Sequence, residues 1–326
     1  MIAEYGDHLD MSNPKTLRDF IVDAVKKFPA DNVARILNDH GGGFTGAMSD
    51  DSDGHFMSTP ALAGAIAEAQ KITGKKIAII GFDACLEGEA EVAYENRANA
   101  DYFLGSEESE GGTGWTYDSM LSGKPLTEAI SRVQLSLSEK INVGPKEFCK
   151  IVVDVCREHQ EDISTFSALD LSQLDGAVSK IDGLSAAIKQ TKDKDAVRKA
   201  VRNAEHFGGG YLPYRDIHDL QDLAEQLQQQ SPDAKVKAAA AAVIAQLPKA
   251  VIANENSPSE HPHSHGLSIY MPIPSSDTVG YNYRSLAFAK NTKWVEAILA
   301  LKSAAGSTGD DPASAPAVWP DGHPKR

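Results

Sequence analysis

Apolar and polar positions change period along this chain, and each change marks an element. Across 15–27 the apolar residues Leu17, Phe20, Ile21 and Ala24 recur at helical spacing, which predicts an amphipathic helix ended by Pro29-Ala30-Asp31. Two short strand candidates follow: 33–37, VARIL, and 77–80, an apolar run rich in β-branched residues bounded by charge and glycine. A run of the latter kind, without polar alternation, predicts a strand of a sheet covered on both faces. Residues 59–71, with PALAGAIAEAQK at their heart, predict the crossover helix that a parallel pair needs. The span between, 41–59, is rich in Gly, Asp and Ser and reads as loop.

Beyond the second strand, 87–96 is rich in Ala and Glu and reads as helix, and 102–104 as a third strand. Helices are expected at 125–137 and 145–158, a short extended piece at 166–171, and a helical pattern over 172–252 broken at 208–213 and 231–232. Residues 267–272 read as the last strand and 286–301 as a closing helix carrying Trp294. From 302 onward the chain is rich in Ser, Ala, Pro and Gly and is expected to be disordered. The predicted class is α/β, with a core over 1–145, a helical region plus last core strand (266–272) and closing helix over 146–301, and a tail over 302–326. No internal repeat is visible.

With 326 residues the chain holds one large domain or two small ones. An apolar content of 41% with 7% aromatics suits a globular protein, and no apolar run reaches the length of a membrane span. The start, MIAEYGDHLDMSN, has neither the basic head nor the apolar centre of a signal peptide. A formal net charge of -14 disfavours nucleic acid and favours cationic partners, besides serving solubility. The cysteines number three. On a helix Cys149 and Cys156 would stand about 10 Å apart, too far for a disulfide, and nothing calls for an oxidising compartment.

The chemistry gathers at two strand ends. Asp83-Ala84-Cys85 follows the second strand candidate, at the carboxyl edge where ligands collect in open α/β sheets. His40 follows the first, with Gly41, Gly42 and Gly43 directly behind it. If the strands are parallel neighbours, thiol, imidazole and a flexible glycine run meet at one edge. That is the minimum set for acyl transfer through a thiol: the imidazole moves the proton, the thiolate attacks a carbonyl, and uncrowded backbone N–H groups hold the oxyanion. A helix N-terminus behind Cys85 would lower its pKa. The competing reading is two unrelated structural residues, with Cys85 a small buried hydrophobe. Asp83 likewise has two readings, a carboxylate selecting a cationic side chain or a cap on the following helix. Asp50, Asp51, Asp53 and Gly54 resemble a calcium loop but lack its closing Glu, so a solvated acidic loop is the simpler reading. His261, His263 and His265 alternate in a Pro-containing loop, a weak pattern for a metal hydrolase.

DHGGG followed by GFDACLEGEAEVAYE resembles the clostripain family of cysteine peptidases. The segment 10–21, ADYFLGSEE at 100–108, Gly114-Trp115-Thr116-Tyr117, Tyr214-Arg215-Asp216 and Gly266 to Pro272 resemble further family landmarks, in order. The resemblance implies a caspase-like, mostly parallel sheet flanked by helices. It implies an endopeptidase that cuts after Arg or Lys through a His40–Cys85 dyad, with Gly41 N–H and Cys85 N–H as oxyanion donors. Asp83 would select the basic residue, with Ser106, Glu107, Gly114 and Trp115 building the pocket wall. Glu91 is expected to hold structure rather than do chemistry. The implied substrates are proteins or peptides with basic residues. No cofactor is required, calcium supports some relatives, and export is common in the family. Two departures stand out. Relatives carry one or two strands ahead of the segment matching Asp10, so N-terminal strands are expected to be missing and the sheet edge open. A catalytically inactive, peptide-binding scaffold is the corresponding alternative. Also, no Lys or Arg lies between His40 and Lys71, which argues against self-cleavage there.

Overall fold

A computed structural model describes residues 9–50, 54–112, 114–115, 143–159, 163–208, 216–274 and 281–302. Helix α1 (Pro14–Lys27) starts where Asn13 accepts the Lys15 N–H and Pro14 takes the first helical position. Strand β1 (Ala34–Asn38), the hairpin of β2 (Ala47–Asp50) and β3 (His55–Met57), and helix α2 (Thr59–Thr73) follow. Helix α2 ends at the left-handed Gly74. Strand β4 (Ile79–Asp83), the short helix α3 (Ala90–Asn96) and strand β5 (Tyr102–Gly105) come next. Beyond them lie α4 (Pro145–His159), β6 (Thr165–Asp170), α5 (Leu174–Gln190), α6 (Lys194–Asn203), β7 (Ile217–Asp219), α7 (Leu220–Gln230), α8 (Ala234–Ala250), β8 (Val251–Asn256) and β9 (Ser268–Tyr270). Three short helices, α9 (Tyr281–Ser285), α10 (Ala287–Asn291) and α11 (Trp294–Ala300), close the described chain.

The main sheet has five strands in the order β1-β4-β5-β6-β8. The pairs β1/β4 and β4/β5 are parallel; β5/β6 and β6/β8 are antiparallel, so only β6 runs against the others. Alternate side chains feed two apolar layers. Ile80, Phe82 and Phe103 join α1, α2, α3 and the C-terminal helices on one face. Ile79, Leu104, Phe166 and Ala168 join Trp115 and α4 on the other. Cover on both faces is what the unbroken apolar run of β4 requires.

The differences from the sequence pattern have local causes. Strand β4 runs on to Asp83 because Gly81 leaves room: a Cβ there would meet Ile36 Cδ1 at 2.6 Å and Trp115 at 3.0 Å. The loop over 41–59 contains the β2/β3 hairpin. Helix α3 begins only at Ala90, because Leu86 and Gly88 donate to Glu108 and Ser106 carbonyls and Ser268 N–H donates to Gly88 O. That keeps 86–89 out of the helix. The helical pattern of 172–252 hides β7, and its last two residues, Val251 and Ile252, open strand β8. Residues 268–270 pair with β7 in a separate two-stranded sheet rather than ending the main one. The closing helix over 286–301 is two, broken at Thr292-Lys293. Because β6 and β8 extend it, the main sheet crosses the boundary drawn at residue 145. The helix expected at 125–137, the tail beyond Lys302 and Tyr214-Arg215 lie outside the described residues.

Glu91, in the first turn of α3, ties the C-terminal pieces to the sheet. It is 0% exposed and accepts the Tyr270 N–H at 3.2 Å and the Tyr283 hydroxyl at 2.6 Å. Trp294 Nε1 donates to Tyr270 O at 2.8 Å, which docks α11 on the same point. Burial pushes the Glu91 carboxyl from 4.5 up to about 7, against the opposing pull of the Tyr283 hydroxyl. A folded-state pKa raised in this way contributes stability present below 4.5 and lost as pH climbs through about 7. Glu91→Gln cannot ionise. Wild type is therefore expected to lose about 3 kcal/mol relative to Glu91→Gln between about pH 4.5 and pH 8. Urea unfolding of both proteins across that range checks it, and parallel pH profiles would contradict it.

Candidate active site

Strands β1 and β4 end level with each other. Asn38 stands opposite Asp83, and the Asp39 N–H continues the ladder to Asp83 O at 3.3 Å. The two chains stay side by side beyond the sheet: a Cβ on Gly41 would stand 2.5 Å from Cys85 O and 3.0 Å from Ala84 Cβ. His40 and Cys85 therefore follow Asn38 and Asp83 by the same two steps. The Asn38 amide donates to the Asp83 carboxylate across the two strand ends, and Cys85 lies in the turn that follows β4.

His40 is exposed; its N–H donates to Asp39 Oδ1 at 2.6 Å and its carbonyl accepts the Met48 N–H at 3.2 Å. Gly41 bridges Ala47 through the bonds of its neighbours, His40 O with Met48 N–H and Gly42 N–H with Gly46 O. Gly41 N–H thus points away from that partner strand. Cys85 is half-buried. Its Sγ accepts the Glu110 N–H at 3.3 Å and lies 3.7 Å from Glu110 O. Leu86, directly after it, has φ 65, and Met48 has φ 59. Left-handed backbone at non-glycine residues is strained, and such strain concentrates where loop geometry is over-determined.

Around these loops stand buried acids. Glu87 Oε1 accepts the N–H groups of Gly42 and Gly43, and Glu89 Oε2 accepts that of Phe44. Phe44 packs tilted against Tyr270 and edge-to-face against Tyr283 at centroid distances of 4.6 and 5.1 Å, and Thr59 Oγ1 donates to the Gly43 and Phe44 carbonyls. Burial pushes the carboxyls of Glu87 and Glu89 well above their ordinary range. The thiol of Cys85 is also raised. Burial comes first, the Glu110 N–H opposes it, and the charges of Glu110, Glu87 and Glu108 add to it. Helix α3 starts five residues beyond Cys85, so its N-terminus does not stand at the thiol.

Asp83 is 3% exposed and accepts the Trp115 N–H at 3.0 and 3.1 Å as well as the Asn38 amide. Gly114, at φ +64, is what lets the chain pass: a Cβ would be 2.9 Å from Asp83 Oδ2 and from Asn38 Nδ2. Trp115 is 3% exposed, with its ring against Phe166 and its Nε1 donating to Glu110 Oε2 at 3.0 Å. Burial, followed by the charge of Asp83, pushes the Glu110 carboxyl well up. Ser106 and Glu107 turn elsewhere. Ser106 Oγ donates to Thr165 O, while Glu107 accepts the Gly266 N–H and the Ser264 hydroxyl. Glu108 and Glu110, with Ser109, Ser164, Glu260 and His261, line a cleft of about 470 Å³. Pattern reading had passed over Asn38, Glu87, Glu89 and Glu110.

The three alternating histidines disperse. His261 lies between Glu205 and Glu108, at 3.2 and 3.5 Å, His265 Nδ1 is 2.9 Å from Asp219, and His263 meets Glu205 through its N–H. Among the described residues no group of three or more His, Cys, Asp or Glu is arranged to hold a metal. Asp51 and Asp53 lie outside them. No helix among the described residues is long and apolar enough to cross a membrane.

Comparison with known proteins converges on one group. The family model described as "Clostripain family" matches residues 1–301. Clostripain of Hathewaya histolytica is 24% identical over 305 residues, covering 81% of this chain; the chain spans 57% of that relative's length. An inactive zymogen C11 protease of Parabacteroides distasonis superposes with a TM-score of 0.63 at 19% identity, over 89% of this chain and 78% of its own. A clostripain of Bacteroides thetaiotaomicron in complex with the peptide inhibitor BTN-VLTK-AOMK gives a TM-score of 0.54 at 19% identity, over 75% of this chain and 98% of its own. The shared fold is caspase-like.

The setting of the thiols makes a prediction about labelling. Burial holds Cys149 up at about 12 and Cys156 well above its ordinary value, while the half-buried Cys85 is raised less. Iodoacetamide on the native protein, read by peptide mass spectrometry, is expected to label Cys85 alone. The rate should climb with pH through a midpoint above the ordinary thiol value of 9.0. Labelling already maximal at neutral pH would contradict this resting arrangement.

Proposed function

Because the chain belongs to the clostripain family, we propose that it is a cysteine endopeptidase cleaving after Arg or Lys, with Cys85 as nucleophile and His40 as acid–base partner. The observation that carries this reading is the level parallel register of β1 and β4, from which both residues depart by equal steps. The family's chemistry needs no cofactor.

In the proposed reaction the Cys85 thiol gives its proton to His40 and the sulfur adds to the scissile carbonyl. The oxyanion lies against the N–H groups of Gly41 and Cys85. The imidazolium then protonates the leaving amine as the C–N bond breaks. Water, deprotonated by the neutral imidazole, opens the thioester and restores the thiol. Because burial and neighbouring acids hold the resting thiol neutral, proton transfer belongs to the attack step rather than to a standing thiolate–imidazolium pair.

Asp83 is the proposed selector. It stands on the strand end two residues before the nucleophile, deep enough that a guanidinium or ammonium reaching it is desolvated and strongly held. Glu108 adds negative charge beside the thiol. The Bacteroides thetaiotaomicron clostripain, bound to an inhibitor whose peptide ends in Lys, is in keeping with such a pocket. Trp115 N–H and the Asn38 amide are the donors that an incoming cation joins or displaces.

A fluorogenic Arg-amide peptide tests the reading. Wild type is expected to turn it over and Cys85→Ala to lose activity about a thousandfold or more. Asp83→Asn is expected to lower kcat/KM for Arg and Lys substrates by about 10- to 100-fold while leaving neutral ones little changed. Equal turnover by wild type and Cys85→Ala would reject the peptidase, and an unchanged preference would remove Asp83 from the pocket.

A further inference from the structure

The loop bearing His40 and the loop bearing Cys85 are joined by side chains that the proposed chemistry does not use. Glu87 Oε1 accepts the Gly42 N–H at 3.2 Å and the Gly43 N–H at 3.1 Å, and Glu89 Oε2 accepts the Phe44 N–H at 2.6 Å. Three consecutive amides of one loop are thus gripped by two carboxyls of the other. Both carboxyls are sealed from water, at 1% and 0% exposure. Burying a carboxyl is costly, and apolar side chains of the same size fill such space at lower cost. A hydrogen-bonded acceptor supplies direction, which an apolar contact does not.

The glycines answer the same demand. A Cβ on Gly41 would stand 2.8 Å from Glu87 Oε1, and one on Gly43, at φ +57, would stand 2.5 Å from Glu89 Oε1. The run behind His40 therefore admits the two carboxyls as well as the Cys85 backbone. With Gly42 N–H and Gly43 N–H occupied, Gly41 N–H is the donor of the run left to face an oxyanion.

We propose that Glu87 and Glu89 are positioning residues, which set the height of the His40 loop against Cys85 by holding the amides of Gly42, Gly43 and Phe44. The proposal rests on the reading of Cys85 and His40 as a dyad. The Glu87 charge is also among those that raise the Cys85 thiol. Removing the charge and removing the grip thus give separate signals.

Two substitutions separate them. Glu87→Gln keeps an acceptor and removes the charge, while Glu87→Met fills the space with neither. Both are expected to move the pH midpoint of iodoacetamide labelling of Cys85 downward. Only Glu87→Met is expected to lower kcat on the Arg-amide peptide, by about tenfold or more with KM within about twofold; Glu87→Gln stays within about threefold of wild type. A folded Glu87→Met with wild-type kcat, or a Glu87→Gln as impaired as Glu87→Met, overturns the proposal. Should Glu87→Met not unfold cooperatively, Glu89→Gln and Glu89→Met are read by the same kcat comparison. Turnover that survives Cys85→Ala removes the dyad itself. Turnover that needs Cys85 but ignores both Met substitutions removes only the grip.

Discussion

The register of β1 against β4 is the constraint on which the rest depends. Asn38 opposite Asp83 fixes which residues meet at the end of the sheet, and a one-residue slip would turn every later side chain to the other face. That register is held by apolar cover on both sides, not by anything at the site. Ile80 and Phe82 are anchored in one layer and Ile79 in the other, all nearly without exposure. The scaffold is rigid where the chain is apolar, and the chemistry-bearing residues begin where the apolar run ends.

Beyond the sheet, acids take over the work of holding loops. Glu87 and Glu89 grip the glycine run, Glu91 holds Tyr270 and Tyr283, Glu107 holds the chain at Ser264 and Gly266, and Glu108 accepts the Gly208 N–H. Each carboxyl serves backbone amides that strands and helices leave over. Their burial disfavours ionisation, and so does the burial of the thiol beside them. Burial first, and then the charges of Glu110, Glu87 and Glu108, keep Cys85 protonated at rest.

The apolar run made β4 legible, since a fully buried strand leaves no polar interruption, and β1 was read from VARIL despite Arg35; the position of Cys85 and His40 at strand ends followed from them. Val251–Asn256 was passed over although Pro248 stands three residues before it, because α8 runs through that proline to Ala250 and only pairing with β6 decides for strand. The stretch from Glu87 to Glu91 carried a signal that was passed over. Glu at 87, 89 and 91 repeats every second residue, the period of an extended chain, whereas Ala and Glu content suggested helix from Glu87. Read by its period, it places carboxyls on one side, which is how Glu87 and Glu89 reach the glycine loop. Glu110 left no such trace, since its main chain meets Cys85 Sγ only through the tertiary path of the loop after β5.

The claim at the centre is that sulfur and imidazole act together at a cleft for basic peptides. A peptidyl acyloxymethyl ketone ending in Arg, followed by intact mass and peptide mapping, tests it most directly. The account predicts a single adduct, on Cys85, forming about tenfold or more slowly on His40→Ala. No adduct on wild type, or equal rates on the two proteins, would contradict it.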